Sequence, residues 1–305
     1  MELSVDPRHL IERFRARERA ASSPSSRAAN SERAPVIRRM DFDFAAALDA
    51  GALPRHWLDG SVMGTALANG VNLLFPAGER FFVRSVNCYL DSLDDPALHE
   101  RVKRFFGQEG QHAKEHQRFF EILREQGYDV DAFLVPYQRM AYEWLEPRVH
   151  PKLRLAITAA LEHFTATLAE HALSTRFFET RTPPEIAALL LWHAAEEIEH
   201  KDVAFDVLQA VDDSYALRAA GAFAGAALLG GFWVMATIIL LRQEPELDWG
   251  RLAREYKHAI ESGHASGGRM AGALLQYLRP GFHPADTGND ELAARYLDEI
   301  GRLYA

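Results

Sequence analysis

His193, Glu197 and His200, in the stretch LLLWHAAEEIEH, are spaced i, i+4 and i+7. At about 100° per residue in an α-helix they fall within an arc of roughly 60° and share one stripe. Leu190, Ala194, Val203, Ala204 and Val207 occupy neighbouring helical positions, so the stripe belongs to a core face. Imidazoles and a carboxylate among such neighbours need compensation, because an unpaired buried charge costs several kcal/mol or titrates until neutral. A bound cation is the simplest compensation.

The same residue types recur upstream. Glu109 and His112 in QEGQH form a Glu-x-x-His pair, and Glu197 and His200 in EEIEH form a second. Glu79 in PAGERFF and Glu162 in AALEHFT each place one carboxylate at a core-like position. Either pair alone reads as readily as a solvated helix face, Glu79 and Glu162 are lone glutamates, and His193 could be a core histidine packed by Trp192. The chain order of Glu, Glu-x-x-His, Glu, Glu-x-x-His is more specific, since it is the arrangement of dinuclear carboxylate sites in ferritin-like four-helix bundles. Four carboxylates offset two divalent cations. Imidazole with carboxylate and no thiolate suits two iron ions, with manganese or a mixed Mn/Fe pair as alternatives. Mononuclear zinc needs fewer ligands than this set supplies.

Four long helices must position these groups. Pro76 opens one, Asp95-Pro96 supplies an N-cap with proline at N1, Pro151 begins a third, and Thr182-Pro183-Pro184-Glu185 combines a capping residue with proline and a following Glu. The expected spans are 76–93, 96–126, 151–179 and 184–211, joined by short loops. The whole is all-α, a four-helix bundle with a dinuclear metal site and additional C-terminal helices. Residues 1–35, rich in Ser, Ala and Arg, read as a flexible segment, 36–213 as the bundle, and 214–305 as an apolar helix and C-terminal helices packed on it. Residues 219–241 carry no charge between Arg218 and Arg242, long enough to span a bilayer. Gly221 and Gly225 in GxxxG spacing permit close helix contact or a homodimer, and Gly230-Gly231 could break the helix. A buried or membrane-touching helix is favoured over a span. Beyond it come a helix over 248–277, a turn in which His283 is structural, and a short helix from about Asp290.

With 305 residues, of which 48% are hydrophobic, the chain can bury a sizeable core without staples. The single cysteine, Cys88, leaves no internal disulfide and fits a reducing compartment. The start, MELSVDPRHLIERF, lacks an apolar run of secretory type. The expected location is cytoplasmic, with contact to a membrane surface through 219–241 as an option. A net charge of −9 and the absence of a basic block argue against nucleic acid.

VIRRMDFDF, GERFF, QEGQHAKEH, WHAAEEIEH and YLRPGFHP resemble the bacterial family catalogued as predicted metal-dependent hydrolases, a ferritin-like family, from about Val36 to Pro284. His193, four residues before Glu197, resembles the seventh ligand of the aryl-amine N-oxygenase family, whose site has four Glu and three His. The resemblance implies Glu79, Glu109, His112, Glu162, His193, Glu197 and His200 as metal ligands. It also implies that Glu196 orients His112 from the opposite helix. Gln108 is the counterpart of Glu196 but neutral, which leaves the partner of His200 open. His116 lies one turn beyond His112 and is expected behind the ligands.

The chemistry expected is that of a dinuclear non-haem iron oxidase or oxygenase. It would use O2 and an external electron donor to hydroxylate, N-oxygenate or desaturate an apolar or aromatic small molecule. Two alternatives stay open: a dinuclear metal-dependent hydrolase of an ester or amide, and a non-enzymatic metal-binding bundle. No GxSxG motif or Asp/His-rich loop cluster favours the hydrolase.

Overall fold

Asp95 starts the longest helix by accepting a hydrogen bond from the Ala97 amide at 2.9 Å, with Pro96 next in the chain where no amide is needed. In a computed structural model, which describes residues 34–303 except Asp41, Asp43 and Ala50, that helix is one of a series with no strand among the described residues. The helices are α1 (Phe44–Asp49), α2 (Val62–Asn72), α3 (Phe75–Asn87), α4 (Pro96–Glu125), α5 (Asp131–Tyr137), α6 (Pro151–Ser174), α7 (Pro184–His200), α8 (Val203–Val211), α9 (Tyr215–Leu241), α10 (Trp249–Glu261), α11 (Ser266–Tyr277) and α12 (Asp290–Leu303). A π-helical segment, Gln138–Leu145, follows α5 directly. The fold is all-α, a bundle built on α3, α4, α6 and α7, with α3 packed along α4 and α6 along α7.

Two apolar clusters flank the middle of the bundle. One gathers Phe119 and Leu123 from α4 with Ile186, Leu189 and Trp192 from α7. The other gathers Val102 and Phe105 from α4 with Leu155, Ala159 and Phe164 from α6 and Val207 from α8. Each large side chain fully buried there contributes roughly 1.5–3 kcal/mol. Between the clusters, on the same face of α4, Gln108, Glu109, His112, Glu115 and His116 are all buried. The polar site is thus walled on both sides by hydrocarbon.

The expected helix over 184–211 is interrupted. Lys201 and Asp202 lie in a turn between α7 and α8. Both are buried: Lys201 Nζ donates to Asn289 and Asp290 at 2.7 Å, and Asp202 accepts from Arg101 at 2.6 Å. Reaching partners on α12 and on α4 from adjacent residues requires the turn. The span 248–277 is likewise two helices, separated at Gly263, whose φ of +75° is a left-handed conformation that glycine adopts without a Cβ clash. The first bundle helix ends at Asn87 and the third at Ser174, before the expected 93 and 179. Thr182 does not cap α7; its hydroxyl donates to the Phe178 carbonyl, and Pro183 occupies the cap position. The expected flexible segment 1–35 falls, apart from Ala34 and Pro35, outside the described residues.

The apolar helix α9 runs unbroken through Gly230 and Gly231. It packs on α6 and α2. A Cβ on Gly221 would sit 2.5 Å from the Ala156 carbonyl carbon, so glycine is what lets the backbones of α9 and α6 approach. The helix is long and apolar enough to cross a membrane, yet one of its faces is buried on the bundle. Its outer face exposes Phe223, Val234 and Ile238.

Candidate metal centre

All seven residues expected as ligands converge at the centre of the bundle, and each is no more than 4% exposed. Glu79 comes from α3, Glu109 and His112 from α4, Glu162 from α6, and His193, Glu197 and His200 from α7. His200 Nε2 lies 3.1 Å from Glu109 Oε1, 3.2 Å from Glu162 Oε2 and 3.5 Å from Glu197 Oε1. His193 Nε2 lies 2.8 Å from Glu197 Oε1 and 3.7 Å from Glu79 Oε1. His112 Nδ1 lies 3.7 Å from Glu197 Oε1 and 4.0 Å from Glu109 Oε1. Donor atoms bound to one ion at about 2.1 Å stand about 3 Å apart when at right angles.

Hydrogen bonding fits the same reading. Both carboxylate oxygens of Glu79, Glu109 and Glu162, together with Glu197 Oε2, His112 Nδ1 and His200 Nε2, are buried without a hydrogen-bond partner in the protein. Buried polar atoms are paired in folded proteins unless something else satisfies them, so this many orphaned donors facing one space fit a cation. Among the described residues, four groups that could hold an ion share members: Glu109, Glu197 and His200; His112, His193 and Glu197; Glu79, Glu109 and His112; and Glu79, His116 and His193.

The three imidazoles of the cluster are each held from behind. His112 Nε2 bonds to Glu196 Oε2 at 3.0 Å across from α7, and Arg38 Nη1 donates to the other Glu196 oxygen at 3.0 Å. His200 Nδ1 bonds to Gln108 Oε1 at 2.9 Å, which answers the question of its partner. The tautomer follows: Gln108 Nε2 donates to the Val36 carbonyl at 3.0 Å and to Glu199 Oε2 at 2.7 Å, so its oxygen must accept from His200. His193 Nδ1 lies 2.5 Å from His116 Nε2, and His116 Nδ1 in turn bonds to Asn72 Oδ1. A carbonyl oxygen only accepts, so His116 carries its proton on Nδ1 and receives the Nδ1–H of His193 on Nε2. With the outer nitrogens so engaged, His193 Nε2 and His200 Nε2 are the atoms that face the carboxylates and would bind an ion there. Tying back the outer nitrogen is how ligating imidazoles are oriented and made more basic.

Aromatic rings fix the imidazole planes further. Trp192 meets His112, Phe75 meets His193 and Phe105 meets His200 edge-on, at ring-centre distances of 4.9, 4.6 and 5.0 Å.

The electrostatics of so many buried carboxylates are severe. Burial, then the neighbouring Glu197, pushes the Glu79 carboxyl well above the ordinary carboxylate range, and burial with Glu162 does the same to Glu109. Burial raises Glu162 to about 7 against the opposing pull of His200. Glu197 runs the other way: burial opposes its ionisation, but His193 and His200 outweigh it and hold it well below the usual range. Burial, then His193, drives His112 well below the usual histidine value. A cation at the centre would offset the burial and the mutual repulsion that keep these carboxyls protonated.

Some participants were not singled out beforehand. Arg38, between Glu196 and Glu199, and Asn72, behind His116, support the centre from outside the four bundle helices. Arg38 lies in the quoted VIRRMDFDF stretch, but nothing in its spacing marks a role. His163 turns away and bonds to the Ala273 carbonyl at 3.0 Å. His283 pairs with Asp206 at 2.8 Å, as a structural turn histidine.

A protein-family model described as "Predicted metal-dependent hydrolase" matches residues 36–288. No curated protein and no solved structure matches the chain.

Proposed function

The chain belongs to the family of predicted metal-dependent hydrolases, and from its buried donor set we propose that it is a dinuclear non-haem iron oxidase or oxygenase of an apolar or aromatic small molecule. The observation that carries this reading is the convergence of four buried carboxylates with three imidazoles whose outer nitrogens are tied back. Two iron ions bound there would supply O2 activation with electrons from an external donor, while manganese or a mixed pair is the alternative content.

Glu197 belongs to the donor groups of both His200 and His193, and Glu109 to those of His200 and His112. These two carboxylates would each hold metal together with two of the imidazoles, with Glu162 beside His200 and Glu79 beside His193. Glu196, Gln108 and His116 hold the imidazoles in place. The site opens on an apolar cleft lined by Leu74, Phe81, Phe82, Leu229 and Phe232, with Glu79 in its wall. Those side chains exclude water and present hydrocarbon to the substrate.

Three hydroxyls in the cleft wall are engaged within the protein. Tyr137 and Tyr142 hydroxyls bond each other at 2.5 Å, and the Thr165 hydroxyl donates to the Glu162 carbonyl at 3.0 Å. The family's description makes metal-dependent hydrolysis the second reading. The test is O2 uptake by the reduced iron-loaded protein run beside an ester panel. Uptake with product oxidation supports the proposal. Ester turnover with zinc or manganese and no O2 uptake would replace it by the hydrolase. Tight metal binding with neither activity would leave a metal-holding bundle.

A further inference from the structure

Beside the apolar cleft lies a charged mouth. The cleft holds about 790 Å3 of non-atom space, open solvent at its entrance included. Tyr142, Glu146 and Arg154 line both the cleft and the mouth, so the two adjoin. The mouth adds Arg80 and Arg84, and Glu146 is its only acidic side chain. Arg84 grips Glu146 through two hydrogen bonds of 2.9 and 2.6 Å, and Arg154 stands 3.6 Å from the same carboxylate. Arg80 is exposed and makes no ion pair among the described residues. Three guanidinium groups and one carboxylate thus line the mouth beside a hydrocarbon-lined pocket in whose wall the Glu79 side chain lies.

From this juxtaposition we propose that the cleft binds a single-chain amphiphile with an anionic head, the head on Arg80 and the tail inside, against Glu79. A guanidinium presents paired N–H donors that match carboxylate or phosphate oxygens. The tail replaces water along Phe81, Phe82, Leu229 and Phe232. The π-helical segment Gln138–Leu145 spans both regions, with Gln138 at the mouth and Ala141 and Leu145 in the cleft. Such segments are frequent at functional sites. That the tail is what the metal centre oxidises rests on the proposed function; the binding itself does not.

The test is titration of the full-length protein, with and without iron, by dodecanoate, dodecyl phosphate and dodecan-1-ol below their aggregation concentrations. One of the two anions is expected to bind more tightly than the alcohol, and which one does identifies the head. Arg80→Gln is expected to weaken that anion about tenfold and leave the alcohol unchanged. Gly78→Leu, whose side chain enters the cleft where a Cβ has nothing nearer than the Tyr142 hydroxyl at 4.0 Å, is expected to weaken both. Equal affinity for anion and alcohol, or an Arg80→Gln protein that binds the anion normally, overturns the head assignment. No binding of any of the three overturns the proposal. A protein that binds the amphiphile but takes up no metal would instead refute the metal-centre reading alone.

Discussion

The Nε2 atom of His116 lies 2.5 Å from Nδ1 of His193, and Asn72 closes the chain behind it. This relay engages His193 Nδ1, so that Nε2 is the nitrogen that faces Glu197 and Glu79. His116→Phe keeps a ring in the cavity but removes the acceptor. The variant is expected to lose 10–100-fold in metal affinity, read by chelator competition, while its helical circular dichroism is retained. His116→Gln, whose amide oxygen can accept the same proton, is expected to recover part of the loss. Equal affinities for wild type and His116→Phe would remove His116 from the account.

Arg38 is the countercharge for two buried carboxylates, Glu196 at 3.0 Å and Glu199 at 2.8 Å. Arg38→Met leaves Glu196 with its bond to His112 and Glu199 with its bond from Gln108, but removes the guanidinium that both share. Arg38 itself is 23% exposed, so the cost is set at about 2 kcal/mol, below that of breaking a fully buried pair. Urea unfolding of the metal-free variant measures it, and a loss under about 0.5 kcal/mol would contradict the role.

Two glycines of α9 separate packing from propensity. A Cβ at Gly221 meets the Ala156 backbone, whereas one at Gly230 meets nothing within 4 Å. Gly221→Ala is expected to destabilise by about 1–3 kcal/mol through overpacking against α6. Gly230→Ala is expected to stabilise by up to about 1 kcal/mol, as alanine does in a helix interior. Thermal unfolding distinguishes them.

Proton linkage gives a prediction about metal removal. Glu79 and Glu109 hold protons in the fold well above the pH at which the unfolded chain releases them. A carboxyl raised in this way makes the fold bind more protons than the unfolded chain, so stability falls as pH rises above the unfolded value. Between about pH 7 and about pH 8.5 the histidines lowered by burial are neutral in both states and contribute nothing. The chelator-treated protein is therefore expected to melt at lower temperature at the higher pH. Metal binding should release protons and tighten with pH over the same range, because the ligands must be deprotonated. A metal-free melting temperature that rises over this range would contradict the burial of these carboxyls.

Much of the centre was legible because its members obey a helical period. Glu109 with His112, and Glu197 with His200, are three residues apart, and these two pairs alternating in order with Glu79 and Glu162 imply four helices around one axis. His193 followed from the same stripe. Arg38 and Asn72 could not be found that way: Arg38 meets Glu196 across 158 residues and Asn72 meets His116 across 44, with no pattern linking them. The role of Gln108 depended on which amide atom faced His200, and only Val36 and Glu199 on the far side decide it. The apolar period continues through Val203 and Val207, which hid the turn that Lys201 and Asp202 impose. The GxxxG spacing correctly signalled close approach, and for Gly221 the partner is Ala156 of the same chain.

The central claim is a two-ion centre held by Glu79, Glu109, His112, Glu162, His193, Glu197 and His200. The most direct measurement is metal analysis with the Mössbauer spectrum of protein produced with 57Fe, beside a Glu109→Ala, Glu197→Ala double variant. The account predicts about two iron ions per chain, spin-coupled in the oxidised protein, and their loss in the variant. Iron-loaded protein that holds no metal, or a double variant that binds the same amount with the same spectrum, would contradict it.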